Sequence, residues 1–467
     1  MAIERRTIGR SGALACAAGL AAGLAAPARA ADLPNRRSGL AAFVKVCAVD
    51  GTAGFTIPGA DACLKISGFV DAQAEAGGAR RGYYWASPAA QGAALRTSAA
   101  NLDPSFGWTL RTEVDVDARQ DTAWGVLRGY AAIRFEDGNG FDTDGNSAYV
   151  DLAYIQWAGL TAGKAVSFFS FFAGGEGFAN FFSPDQQGAN EPDLIAYTRR
   201  FDGGFSATIA AQSAGPNGFS GPGTNLVVDD YTPYGAPIGA ANAAFEGMRA
   251  PDFVANLRLD EDWGAAQLAG VAHPVRVVDA AGDAFATWGW GALAGATINL
   301  PKLGDADKAS FDAVFTRTAI WYSGVNDGLW NENGAANGNG LAMSVGDAFA
   351  AGGGRWASPT AWSVAALYER HFSPTFSVDP ELSYLELRWS GSQGQLSSDA
   401  KSVIGGAVAH WHPAPLLDFA LELLAQHTRQ STPALWAATP GTIDGKPAAF
   451  PGTAAGVAGR VYVTRSF

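Results

Sequence analysis

The side chains of this 467-residue sequence best suited to chemistry are charges rather than nucleophiles. Arg111, Arg119, Arg128 and Arg134 cluster in one stretch. Glu176, Asp185, Glu191 and Asp193 fall in another, the Gly- and Phe-rich segment from Ser167 to Asp193. Arginine stays charged at any working pH and presents a rigid fork of donors. Acidic and basic groups fixed on facing walls produce a transverse field that sorts small solutes by charge and dipole. The plainer use of the arginines is local pairing with Glu113, Asp115, Asp117 and Glu136 beside them.

His410-Trp411-His412 offers a second possibility, because alternate strand positions put both imidazoles on one side. A metal site needs a third ligand, and none is visible as a spaced carboxylate or a cysteine cluster. A Trp-flanked position at a membrane interface is the reading the sequence favours, with no metal and no cofactor. The sequence has no G-x-S-x-G, H-E-x-x-H, Walker loop or dinucleotide fingerprint. It reads as a protein that is not an enzyme.

The elements that must carry these charges are strands. In Leu110-Arg111-Thr112-Glu113-Val114-Asp115-Val116-Asp117-Ala118-Arg119 every charge falls on one face at a period of two. Arg128, Tyr130, Arg134 and Glu136 likewise oppose Leu127, Ala131, Ile133 and Phe135. The pattern returns in Phe253, Leu257 and Leu259 against Asn256, Arg258 and Asp260, in Phe205 and Ile209 against Ser206, Thr208 and Gln212, and in Phe419, Leu421 and Leu423 against Asp418, Glu422 and Gln426. Segments of about ten alternating residues between Gly, Asp, Asn and Pro clusters are the signature of transmembrane strands. A water-soluble sandwich shows the same alternation. A secreted all-β carbohydrate-binding protein or glycosidase, with two carboxylates flanking a sugar bond, is therefore the alternative.

Composition narrows the choice. With 16% charged and 48% hydrophobic residues the chain is not disordered, and its net charge of −12 argues against a nucleic-acid partner. Arg5, Arg6 and Arg10, the apolar stretch from Ala13 to Ala26 and Ala28-Arg29-Ala30 read as a removed export signal over residues 1–30. A lipoprotein anchor at Cys16 is disfavoured by the position of Leu14. No later apolar run reaches the roughly 20 residues of a spanning helix, so membrane residence requires a closed barrel. Residues 31–467 read as that single domain.

Export leaves Cys47 and Cys63 in an oxidising compartment, where a disulfide is expected; two unpaired thiols are the alternative. Ser167–Asp193 is long enough to be a functional loop. Its phenylalanines, Phe168, Phe169 and Phe171 among them, pack it against a wall or else form a girdle or subunit contact. Trp288, Trp290, Trp321, Tyr322 and Trp389 read as interface girdle residues or ordinary packing. The sequence ends in an alternating strand on Phe467, an assembly signal of outer-membrane barrels, although Arg465 stands where an apolar residue is usual.

Several blocks resemble the alphaproteobacterial general porins of rhizobial and brucella-type outer membranes. They include Val46-Cys47 with Ile57-Pro58-Gly59 and Cys63-Leu64-Lys65-Ile66-Ser67-Gly68-Phe69-Val70, then Asp117-Ala118-Arg119 with Gly125-Val126-Leu127-Arg128. The most specific is Ala153-Tyr154-Ile155-Gln156-Trp157-Ala158-Gly159-Leu160 running through Lys164 into Ser167-Phe168-Phe169. Later blocks are Ala196-Tyr197-Thr198, Gly204-Phe205-Ser206, Pro251-Asp252-Phe253 and Trp362-Ser363-Val364.

The resemblance implies an all-β transmembrane antiparallel barrel of about sixteen strands. It also implies a long loop folded into the pore, the four arginines facing that loop, and a homotrimer. It further implies passive diffusion of small hydrophilic solutes and ions across the outer membrane. A substrate-specific channel shares the fold, and lipid and the barrel-assembly machinery are the expected partners.

Overall fold

The computed structural model describes residues 45–56, 59, 61–79, 106–139, 146–171, 191–213, 227–228, 243–245, 250–279, 284–324, 347–350, 356–388, 399–432, 442–443, 446–447 and 452–467. The chain divides into residues 1–45 and residues 46–467, and the barrel lies wholly in the second part. The signal-peptide segment lies outside the described residues.

Sixteen antiparallel strands form the wall. They are β1 (Cys63–Ala79), β2 (Phe106–Thr122), β3 (Gly125–Gly138), β4 (Ser147–Trp157), β5 (Leu160–Lys164), β6 (Asp193–Arg200), β7 (Phe205–Gln212) and β8 (Asp252–Glu261). The ring continues with β9 (Gly264–Asp279), β10 (Ala284–Asn299), β11 (Lys308–Arg317), β12 (Thr360–Ser373), β13 (Phe376–Arg388), β14 (Ala400–Ala414), β15 (Leu417–Gln430) and β16 (Thr453–Ser466). Each pairs with its neighbour, and β16 pairs with β1 from Gly456↔Ala79 to Ser466↔Phe69, so the sheet closes without an edge. Closure is what lets strands sit in lipid, because every backbone donor and acceptor of the wall then has a partner.

Short turns gather at one end of the barrel, as in Ala158-Gly159 between β4 and β5, where both residues have positive φ (50° and 89°). Such turns match the right-handed twist of a hairpin, and Gly159 meets the requirement without steric cost. The opposite end carries the long connections, including residues 80–105, 213–251 and 318–359. By the rule for these barrels, the short-turn end is periplasmic.

The outer face is apolar because lipid, not water, surrounds it. Phe106, Trp108 and Leu110 of β2, Phe253 and Leu257 of β8, Trp288 and Trp290 of β10, and Leu421 and Leu423 of β15 are all exposed there. The alternate positions point inward and are largely polar: Asp71 and Gln73 of β1, Glu113 and Asp117 of β2, Asn256 of β8, Gln267 of β9, and Glu422 and Gln426 of β15 are buried. A buried apolar cluster does exist inside, around Phe169, Phe171, Leu194, Val254, Val271, Leu293, Val314 and Tyr322. It sits where the chain after β5 turns inward and covers the wall.

A disulfide joins Cys47 to Cys63 at the start of β1 (S–S 2.09 Å) and fastens the N-terminal hairpin Lys45–Val49 and Thr52–Thr56 to the barrel. At the other terminus Phe467 exchanges backbone hydrogen bonds with Gly68 at 3.0 and 3.2 Å, its ring exposed on the outer face. Tyr322 takes the packing reading and not the girdle one. It is in a short 3₁₀ turn, Ile320–Ser323, inside the barrel and is buried, because its hydroxyl has partners there. Trp389 lies outside the described residues.

Candidate functional site

The basic residues of β2 and β3 face the lumen as one ladder. Register places Glu113 against Arg134, Arg111 against Glu136, and Arg119 against Arg128. Each arginine has a carboxylate at hand: Arg111–Glu136 at 2.7 Å, Arg119–Asp117 at 2.9 Å, Arg128–Asp117 at 3.0 Å and Arg134–Glu113 at 2.5 Å. Arg134 also reaches Asp151 of β4 at 2.9 Å. Asp151 comes inward through a register shift opposite Ala132 and Ile133, where Leu152 and Val150 are the partners and Asp151 is skipped. A break in the period-two pattern thus supplies a charge that the pattern itself could not reveal.

The wall is therefore a mixed ladder and not a bare positive strip. It pairs charges locally, as the plainer sequence reading has it, while still presenting all four guanidinium groups inward. Arg128 additionally lies over the rings of Tyr130 and Tyr154, 4.9 and 5.4 Å from their centroids. Those rings stack on one another at 5.1 Å, which gives the guanidinium a flat bed and fixes its direction.

The chain after β5 does fold inward. Gln267 of β9 donates from its side-chain amide to the carbonyls of Phe169 at 3.2 Å and Ser170 at 2.9 Å, and Asn256 of β8 donates to that of Phe168 at 2.8 Å. Gly291 and Gly295 leave room on β10 for the rings of Phe169 and Phe171, and a methyl group at 295 would overlap the Phe171 ring. The guanidinium of Arg258 of β8 lies over that ring, 5.4 Å from its centroid.

Behind this segment a fully buried polar chain locks it. Ser167 donates to Gln212 at 2.9 Å, Gln212 donates to the Tyr322 hydroxyl at 2.8 Å, and that hydroxyl donates to Asp252. His273 stands between Asp252 at 2.8 Å and Asp347 at 3.2 Å. Asp347 in turn accepts from the backbone of Ile320 at 2.7 Å. Burial and the carboxylate of Asp252 push the Tyr322 hydroxyl well above its ordinary pKa.

An open cavity of about 990 Å³ lies along the inner wall from β2 to β9, bordered by Arg119, Arg128 and Gln156 and, further round, by Ser170 and Phe171 of the inturned segment and Arg258 of β8. The wall and the inturned segment thus border the same open space.

Of the acidic candidates, Glu191 precedes β6 and lies 3.6 Å from Lys164. Burial, with Asp151 nearby, raises its pKa to about 7 against the pull of Lys164. Asp193 opens β6 at the strand parity of Ile195 and Tyr197, which are exposed on the outer face. Glu176 and Asp185 lie outside the described residues.

A family model described as Porin subfamily matches residues 39–439. The chain belongs to the porin subfamily. It is an integral β-barrel of the outer membrane. This porin is similar to Porin Omp2b of Brucella suis, 28% identical over 237 residues, which are 49% of this chain and 56% of that protein. Porin Omp2b of Brucella abortus (strain 2308) is 28% identical over 201 residues, 41% of this chain and 51% of that protein. The alignments thus span little more than half of the curated relatives' length. Among solved structures, the outer membrane channel DcaP of Acinetobacter baumannii has a like fold, with a TM-score of 0.58 at 12% identity over 89% of this chain and 99% of that one.

Proposed function

We propose that this porin forms a water-filled channel through which small hydrophilic solutes and ions diffuse passively across the outer membrane. The observation that carries the reading is the open cavity between the Arg119–Arg128 wall and the Ser170–Phe171 segment, inside a closed barrel whose outer face is apolar. Membership of the porin subfamily points to a channel and not to an enzyme.

In this reading solute size is set by the inturned segment. Charge preference is set by the balance of Arg111, Arg119, Arg128 and Arg134 against Glu113, Asp115, Asp117, Glu136 and Asp151, with Glu191 adding to the acidic side. Glu176 and Asp185 are proposed to extend the acidic loop, whereas Asp193 contributes less because of its outward parity. Residues 1–30 act as the export signal, Phe467 as the mark read by the assembly machinery, and the mature barrel as one protomer of a homotrimer.

Liposome swelling tests the transport claim. Vesicles carrying the purified protein swell in iso-osmotic small sugars at rates that fall with sugar size. Vesicles whose swelling matches protein-free controls for every sugar contradict it.

A further inference from the structure

We propose that His410, His412 and Asp418 form a binding site for a divalent zinc-like metal ion at the short-turn mouth of the barrel. The two histidines lie at alternate positions on β14 around Trp411, which points outward, so both imidazoles lie on one side of the strand. Their rings are close to parallel (16°) with centroids 5.9 Å apart. Register does the rest: Trp411 pairs with Phe419 and His410 with Ala420, which brings Asp418 of β15 beside both rings.

The carboxylate touches each imidazole, with His410 Nδ1 at 2.8 Å from Oδ2 and His412 Nδ1 at 3.3 Å from Oδ1. One donor atom from each of the three residues lies within 4.8 Å of the other two. Zinc–ligand bonds of about 2.0–2.2 Å place tetrahedral ligands roughly 3.3 Å from one another. The donor atoms, all within 4.8 Å of one another, lie close to that spacing.

Two further features are those of a metal site rather than of a simple hydrogen-bonded turn. Asp379, itself buried, stands 3.5 Å from His410 Nε2, on the far side of the ring from Asp418. A carboxylate behind a ligating imidazole fixes its orientation and raises its basicity. The cluster also borders an open cavity of about 610 Å³, lined by Tyr462 and Thr464 as well, so water can complete the coordination shell. Two imidazoles and one carboxylate suit zinc, nickel or copper and not magnesium or calcium, which prefer oxygen alone.

Binding is independent of the channel reading, and its electrical consequence rests on it. A dication here would sit at the mouth beside Asp379 and Asp418 and offset their attraction for cations.

Detergent-purified full-length protein is titrated with zinc chloride in a calorimeter, with magnesium chloride as the control. The proposal expects one zinc per chain, no magnesium binding, and at least a tenfold weaker zinc affinity in both His412→Ala and Asp418→Asn. His412 is 45% exposed at the end of its strand, so its replacement spares the barrel, which heat-modifiable gel mobility checks. Cobalt(II) bound to the unmodified protein gives a second readout, visible absorption bands of the strength of a four- or five-coordinate ion. Zinc affinity unchanged in both variants, no binding at millimolar zinc, or a six-coordinate cobalt spectrum overturns the site. A conducting protein that binds no zinc refutes the site alone, and a zinc-binding protein that does not conduct refutes the channel alone.

Discussion

The side-chain amide of Gln267 donates a 2.9 Å hydrogen bond to the main-chain carbonyl of Ser170, tying the segment after β5 to a strand four places away around the ring. The same amide reaches the carbonyl of Phe169 at 3.2 Å, so one residue holds the segment by two points. Each such bond contributes about 0.5–1.5 kcal/mol net, and a buried carbonyl left without its donor costs more. Gln267→Ala should therefore loosen the segment without opening the barrel. Single-channel recording should show higher open-channel noise and larger mean conductance, and traces identical to the unmodified protein would refute the anchoring role.

The buried chain behind the segment makes a separate prediction. His273→Ala leaves Asp252 and Asp347 facing each other with no partner between them. Breaking a buried pair of this kind costs about 3–5 kcal/mol. The temperature at which the detergent-solubilised barrel loses its compact gel mobility should fall, and a midpoint unchanged from the parent would show that the network contributes no stability.

Much of this arrangement was legible in the sequence. Lipid outside and polar groups inside impose a period of two, so Arg111, Glu113, Asp117 and Arg119 could be assigned to one face, as could Asp418, Glu422 and Gln426. Cys47 and Cys63 form the disulfide expected of an exported chain. The strand count follows from the family resemblance, since turn residues alone do not fix it. Relations between distant strands are not legible in the sequence, for a physical reason. Asp151 reaches Arg134 through a register irregularity, and Asp418 meets His410 through the registry of a hairpin, neither of which leaves a local pattern. For Tyr322 the sequence leaves girdle and packing both open, because an amphipathic ring suits either a membrane interface or a buried hydrogen bond.

Selectivity should respond to the ladder on β2 and β3. Arg134 holds Glu113 and Asp151 together, so Arg134→Ala leaves two inward carboxylates uncompensated. The reversal potential under a salt gradient should move toward cation preference. Arg134→Lys should restore part of the balance but not the two-sided contact, since an ammonium lacks the planar fork. A shift toward anions would contradict the assignment.

Glu191 gives the stability of the barrel a pH dependence. Its folded-state pKa of about 7 lies above the ordinary glutamate value, so the fold favours the protonated form. The associated stability is present below the ordinary value and is lost as pH rises through about 7. Melting midpoints of the parent and of Glu191→Gln should therefore diverge between pH 5 and 8, with the parent falling more. Parallel curves would refute the titration.

The proposed channel requires the interior between the arginine wall and the inturned segment to be a continuous aqueous path. Reconstitution of the purified barrel in a planar lipid bilayer tests it most directly. A water-filled pore gives stepwise current increases of uniform size, grouped in threes if the protomers insert as a trimer. Folded, heat-modifiable protein that inserts into the membrane and carries no current would contradict it.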